Sequence, residues 1–244
     1  MNQMTDPKLA ATNPMLRVTD LTHRVSLETD TLTILQGVSL EINRGESVAI
    51  VGRSGSGKTT LLNMIGGLDL PDKGDVVVDG QHFSEMNQSQ LAQLRLNRIG
   101  FVFQAYNLIP VLSAVENVEY VMLLQGVEKK ERRDRAMAML DEVGLSEKYD
   151  TRPAELSGGQ QQRVAVARAI VSNPAIVLAD EPTANLDSKT GEGLLKIMVG
   201  MNERRNVTFI FSTHDKMVMD YAHRLVLLRD GKIVSDVFKS DAFR

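Results

Sequence analysis

Ser47-Val48-Ala49-Ile50-Val51-Gly52-Arg53-Ser54-Gly55-Ser56-Gly57-Lys58-Thr59-Thr60-Leu61-Leu62-Asn63-Met64-Ile65 is the stretch from which the chain can be read. Its middle, Gly52 to Thr59, fits the phosphate-binding loop pattern G-x-x-x-x-G-K-[ST]. Ser47 to Val51 reads as a short buried strand, and Thr60 to Ile65 as the start of a helix. The motif needs that strand, loop and helix context. Glycines lack Cβ and tolerate positive φ, so the backbone can wrap closely round an anion. Amide N–H groups then point at the phosphates, and the helix N-terminus adds partial positive charge. Lys58 is expected to reach the β- and γ-phosphates, and the Thr59 hydroxyl to ligate Mg²⁺. Gly52, Arg53, Ser54, Gly55, Ser56, Gly57 and Thr60 complete the expected nucleotide cradle.

Working outward, the whole chain has 244 residues, 43% of them hydrophobic and 24% charged. Those are ordinary globular values and suit one large α/β domain or two small lobes. The net charge of −3 disfavours nucleic acid as a bulk partner. The chain has no cysteine, which excludes a disulfide framework and cysteine-based zinc sites. Residues 1–14 read as a loose tail without the basic and apolar regions of a signal peptide. No apolar run approaches the ~18 residues of a membrane span. Action at a membrane would therefore run through a partner.

Leu16 to Leu21 and Val38 to Ile42 alternate apolar and polar residues as half-buried strands do. Val76 to Val78 is a strand closed by the Asp79-Gly80 turn. Ser89 to Asn97 suits a short helix, and Ile99 to Phe103 a strand. From Gln104 to about Leu156 the charge rises and the pattern becomes helical. Met137, Leu140 and Val143 fit one face, and Gly144 fits a C-terminal cap. The charged run Lys129 to Arg135 reads as a solvated helix face. Gln160 to Val171 has little polar face after Arg163 and reads as a buried helix. Ala175 to Ala179 is an apolar run of central-strand type. Gly191 to Asn202 is expected to be a helix, Val207 to Ser212 and Arg224 to Leu228 strands, and Asp230-Gly231 a hairpin turn into Lys232 to Val234.

Three further stretches carry chemistry. Asp180 and Glu181 end the apolar strand with two carboxylates. Beside a phosphate loop, Asp180 suits Mg²⁺ and Glu181 suits a general base for an attacking water. Leu156-Ser157-Gly158-Gly159-Gln160 puts a hydroxyl and bare glycine amides just before a helix, which is a second anion-binding surface. With one nucleotide on the first loop, its simplest use is to meet the nucleotide of another molecule. Ser157 also suits a plain helix cap. Gln104 and Thr213-His214-Asp215 follow strand ends.

Together these stretches resemble the ATP-binding cassette (ABC) ATPase family, over about Leu16 to Asp236. Leu156 to Gln160 matches the family signature, Gln104 its Q-loop glutamine, Ala184 to Asp187 its D-loop and His214 its switch histidine. The resemblance implies an α/β fold. Its core is that of a P-loop NTPase with a mixed sheet, an N-terminal antiparallel β subdomain and a helical insert at about 105–160; the domain spans 15–236, with 237–244 as a tail. It implies ATP and Mg²⁺ as ligands, the metal held by Thr59, Gln104 and Asp180. It also implies a head-to-tail dimer in which Lys58, Thr59, Asp180, Glu181 and His214 of one copy face Ser157, Gly158, Gly159 and Gln160 of the other. Glu181, His214, Lys58 and Gln104 would carry the catalysis.

One departure stands out. The family stacks adenine on an aromatic residue after the first strand, between Thr22 and Gly37 here. No Phe, Trp or Tyr precedes Phe83, and His23 is the only ring near Arg24-Val25. Weaker base discrimination is expected. Ile65 to Asp69, Phe103 to Pro110 and Ala114 to Val118 resemble the lipoprotein-release and macrolide-export group, with LolD-like, MacB-like and, most closely, YbbA-like ATPases. That implies a peripheral subunit on the cytoplasmic face of the inner membrane, with a permease docking near residues 104–124. An FtsE-like regulatory ATPase that does not transport is the alternative. A soluble ABC ATPase fits less well, given the short insert, the lack of cysteine and the single cassette.

Overall fold

The computed structural model describes residues 14–26 and 31–239. In chain order the elements are β1 (Leu16–Ser26), β2 (Thr31–Ile42), β3 (Ser47–Val51), α1 (Lys58–Ile65), β4 (Lys73–Val78), β5 (Gln81–His82), α2 (Gln88–Arg98) and β6 (Ile99–Val102). There follow α3 (Ala114–Leu124), α4 (Lys129–Glu142), α5 (Gly158–Ile170), β7 (Ile176–Asp180), α6 (Ser188–Arg205), β8 (Thr208–Thr213), α7 (Lys216–Tyr221), β9 (Arg224–Arg229) and β10 (Lys232–Phe238).

A six-stranded sheet in the order β10-β9-β3-β8-β7-β6 forms the centre. Strands β9, β3, β8, β7 and β6 run parallel, and β10 pairs antiparallel on the edge. β3 lies between β8 and β9, and buried clusters cover both faces of the sheet there, so β3 is apolar from Val48 to Val51. The two-residue side-chain period then divides the core. Val48, Ile50, Ile176, Leu178 and Ile210 join one buried cluster with α1, α2 and the N-terminal strands. Ala49, Val177, Ala179, Phe209 and Phe211 join the other, with α3 to α7.

The second sheet, β2-β1-β4-β5, is antiparallel. At both hairpin turns the central residues have positive φ, Asp79 and Gly80 at 50° and 77°, Asp230 and Gly231 at 50° and 73°. That twist suits tight two-residue connections.

Several expectations need correcting. The described parts of the Thr22 to Gly37 stretch, residues 22–26 and 31–37, are strand. β1 continues to Ser26 and pairs with β2 through three irregularities of register between Val18 and Arg24. The buried face of α4 is Ala136, Met139 and Leu140, continued by Val143, and Met137 is only partly buried. Gly144 does terminate it, at φ 75°, with Leu145 N–H donating to Leu140 O at 2.8 Å. α6 is longer than Gly191 to Asn202 because the Asp187 carboxylate caps it by accepting Thr190 N–H at 3.0 Å. α7 is not among the expected elements, and β10 continues to Phe238, past the expected strand end at Val234 and into the expected tail from 237. The expected N-terminal tail lies outside the described residues except for Pro14.

Candidate functional site

Four loops leave the carboxyl ends of neighbouring parallel strands, where open α/β sheets bind ligands. They follow β3, β6, β7 and β8 and carry the phosphate loop, Gln104, Glu181 and His214. These sequence-distant groups converge on one cavity of about 390 Å³. Ser54, Gly55, Gly57, Lys58, Thr59 and Thr60 form its floor; Gln104, Glu181, Ala184, His214 and Ile34 form its walls.

Gly52, Arg53 and Ser56 do not line the cavity but shape the loop beneath it. A Cβ on Gly52 would lie 2.4 Å from Leu228 O and 2.5 Å from Ser56 Oγ, so only glycine lets the loop close there. Gly57, at φ 101°, is the N-cap of α1 and offers no side-chain cap. The Ser56 hydroxyl is buried without a hydrogen-bond partner among the described residues. Lys58 is buried and its ammonium donates to Gly52 O at 2.8 Å and Arg53 O at 3.3 Å. Its Nζ stands 3.8 Å from Glu181 Oε1. A positive helix end, glycine amides and one lysine fit an anion.

Thr59 Oγ1 lies 3.2 and 3.1 Å from the two carboxylate oxygens of Asp180. Among the described residues no cluster of three or more His, Asp or Glu side chains stands ready to hold a metal alone. One carboxylate and one hydroxyl at a phosphate loop fit Mg²⁺, which keeps waters and takes phosphate oxygens.

Glu181 sits just past β7 at φ +44°. Its N–H donates to Ser212 O at 2.9 Å. Its Oε1 is 2.7 Å from His214 Nδ1, and Thr213 Oγ1 donates to its Oε2 at 3.2 Å. His214 is 69% exposed whereas Glu181 is 15% exposed at the side chain. Gln104 is held through its backbone, Asn185 Nδ2 donating to its carbonyl at 2.9 Å.

Ser157, Gly158, Gly159 and Gln160 do not line this cavity. Ser157 caps α5 reciprocally: Ser157 N–H donates to Gln160 Oε1 at 2.9 Å, and Gln160 N–H to Ser157 Oγ at 3.3 Å. A Cβ on Gly159 would come 2.3 Å from the Thr190 methyl. Thr190 also bonds Asp187, and its hydrogen bonds hold the Asp187 carboxyl below its ordinary pKa.

The His23 side chain is only 15% exposed, with its ring nitrogens 3.7 and 3.4 Å from the Asp69 and Asp72 carboxylates, so it offers little ring face to a base. Val25 instead pairs across the hairpin with Leu32, and both are exposed. Leu32 and Ile34 share a strand face by period two. An aliphatic strip thus runs outward from the cavity wall.

A second concavity of about 320 Å³ lies among α2, β6, α3 and α5. Leu68, Phe101, Phe103 and Val121 supply its apolar surface, with Arg95 and Arg168 beside them. Of residues 104–124, where a permease is expected to dock, Asn107 and Val121 line it, while Val118 and Met122 are buried in the core. Arg168 donates to the carbonyls of Tyr106 and Asn107 at 2.9 and 2.5 Å, clamping two non-glycine residues at positive φ.

Sequence reasoning missed Ile34, Thr183, and the roles of Thr213 and Asp215. Only the adjacency of Thr213 and Asp215 to His214 hinted at them.

A family model described as ABC transporter matches residues 35–184. The chain belongs to the ABC transporter family. The match includes the phosphate loop, Gln104, the signature stretch and Glu181, while His214 lies beyond it. An uncharacterised ABC transporter ATP-binding protein of Thermotoga maritima is 50% identical over 199 residues, covering 82% of this chain and 85% of that protein. The macrolide export ATP-binding/permease protein MacB of Burkholderia pseudomallei is 45% identical over 225 residues, 92% of this chain. MacB of Shewanella oneidensis is 46% identical over the same share. The chain spans about a third of the length of these MacB relatives, 34% in each case. Among solved structures, an ATP-binding cassette in a dimeric post-hydrolysis state bound to ADP and Pi is similar at a TM-score of 0.85 and 40% identity, covering 92% of this chain and 98% of that one. A dimeric bacterial ABC transporter cassette gives 0.86 at the same identity and coverage. As a member of the ABC family, this chain carries a nucleotide-binding ATPase domain, and hydrolysis of ATP coupled to transport is characteristic of that family. Among the described residues no helix is long and apolar enough to cross a membrane.

Proposed function

We propose that two copies of this chain close head to tail round two ATP molecules and drive a membrane permease of the lipoprotein-release or macrolide-export type. The observation that carries the dimer is the separation of two anion-binding surfaces. Lys58, Thr59, Glu181 and His214 line one cavity, while Ser157 to Gln160, with their glycine amides at the start of α5, do not reach it. Each surface is half of a site, and a two-fold dimer completes both halves at once.

In the closed site Lys58 and the loop amides hold the β- and γ-phosphates. Thr59 and Asp180 would hold Mg²⁺, which when bound neutralises charge across those phosphates. Glu181 accepts the proton of the attacking water as its oxygen bonds to the γ-phosphorus and the bond to ADP breaks. Lys58 and His214 stabilise the charge spread over the γ-phosphoryl oxygens. Gln104, just past β6, would help hold the metal or orient the water. The partner's Ser157 and glycine amides exclude bulk solvent.

The groove among α2, β6, α3 and α5 is where we place the permease, on the cytoplasmic face of the inner membrane. Its apolar floor and adjacent arginines suit a short amphipathic helix. The likeness to ATP-binding/permease proteins supports this partner class.

The test is Glu181→Gln with ATP and Mg²⁺ on a light-scattering column. Removal of the base leaves binding intact, so a stable dimer is expected. A monomer at saturating ATP would overturn the sandwich. Capture of that variant's partners from solubilised membranes then separates a permease from an FtsE-like wall regulator.

A further inference from the structure

We propose that Thr213 is a positioning residue for hydrolysis: its hydroxyl anchors one oxygen of the Glu181 carboxylate so that the other is free to take the proton of the attacking water. The argument rests on the reading of Glu181 as general base.

Three consecutive residues at the end of β8 grip Glu181. Ser212 O accepts its N–H, Thr213 Oγ1 donates to its Oε2, and His214 Nδ1 meets its Oε1. The backbone of Glu181 is left-handed, a conformation disfavoured for a residue with a Cβ, and the bond to Ser212 holds it there.

The two carboxylate oxygens have different surroundings. Oε1 faces the cavity, with Lys58 Nζ at 3.8 Å and the exposed His214 at 2.7 Å. When His214 turns to the γ-phosphate, Oε1 is released to a water. Oε2 has Thr213, which is fully buried, so no solvent molecule replaces its hydroxyl.

A threonine hydroxyl has one proton to give. Asp215 N–H donates to Thr213 Oγ1 at 2.9 Å and occupies its acceptor side. That directs the proton to Glu181. Asp215 is itself fixed: its carboxylate accepts Met217 N–H at 2.9 Å at the start of α7 and Thr183 Oγ1 at 3.1 Å. Thr183 lies two residues beyond Glu181, so the ring closes on the turn that carries the base.

The experiment compares Thr213→Val, Thr213→Ala and Thr213→Ser in the full chain by steady-state ATP turnover, equilibrium nucleotide binding and thermal melting. A loosened base lowers kcat by about 10- to 100-fold with little change in nucleotide affinity. Thr213→Ser, which keeps the hydroxyl, is expected to restore most of kcat. Thr213→Ala serves if the valine variant does not fold. Turnover of Thr213→Val or Thr213→Ala near that of the parent overturns the proposal. So does a loss that Thr213→Ser repeats, because packing and not the hydroxyl then matters. Glu181→Gln separates the two readings. If it retains turnover, the base assignment fails. If it is inactive while Thr213→Val is unimpaired, the positioning role alone fails.

Discussion

Thr59 and Asp180, 121 residues apart in sequence, meet through one hydroxyl that lies within 3.2 Å of both oxygens of a carboxylate. The contact joins the first turn of α1 to the tip of β7. It brings the two hard oxygen donors of the site together on one side of the phosphate loop.

Asp180→Asn is therefore expected to weaken Mg²⁺ use by about 10- to 100-fold, the usual cost of disturbing a ligand or its orienting partner. Turnover measured against Mg²⁺ concentration checks it. An unchanged Mg²⁺ dependence would remove Asp180 from the metal site.

Two inactive variants should rescue one another. Lys58→Ala lacks the phosphate lysine, and Ser157→Arg blocks the surface offered to the second copy. Mixed, they form one site with both halves intact. Turnover that reappears on mixing supports a composite site; none at any ratio opposes it. Ser157→Arg also removes the α5 cap, at about 1 kcal/mol, so its fold should be verified by melting.

GTP should support turnover within about tenfold of ATP, a difference of ~1.4 kcal/mol. The reason is the aliphatic strip of Val25, Leu32 and Ile34, which offers contact without hydrogen-bond reading, while the His23 side chain is largely buried. A GTP rate about a thousandfold lower, ~4 kcal/mol, counts against it.

Glu142 on α4 ties the helical insert to α6 through Arg204 at 2.9 Å and Arg205 at 2.7 Å. Burial pushes its pKa up, but hydrogen bonds from Arg205 and Arg204 outweigh this and leave it below the ordinary 4.5. A lowered folded pKa means the stabilisation is present above the unfolded value and is lost as pH falls through the folded one. Both arginines are substantially exposed, so Glu142→Gln should lower stability at pH 7 by only about 1 kcal/mol. Melting as a function of pH should show the two proteins converging below the carboxylate range. A gap that persists in acid would mean packing is responsible.

Much of this molecule was legible in advance because its decisive signals are local. β3 and β7 are apolar runs that end in functional residues, and Gly52 to Thr59 fixes a loop by residue type alone. The β1–β2 hairpin was not legible beyond Leu21, since register irregularities between Val18 and Arg24 break the alternation that marks a strand. α7 is six residues long, too short for a helical period to show. The ring from Thr183 through Asp215 and Thr213 to Glu181 joins segments 32 residues apart, and no spacing rule connects them. The left-handed backbone of Glu181 has no residue signature either.

The start of α1 has a consequence of its own. Gly57 supplies no side-chain cap, and the buried Ser56 hydroxyl beneath it has no partner among the described residues. A phosphate settling there would serve as the terminal piece of a secondary-structure element, joining the central strand to its first helix. Nucleotide is then both fuel and a building block. On the proposed reading, the helix that carries Lys58 and Thr59 takes its cap from outside the chain.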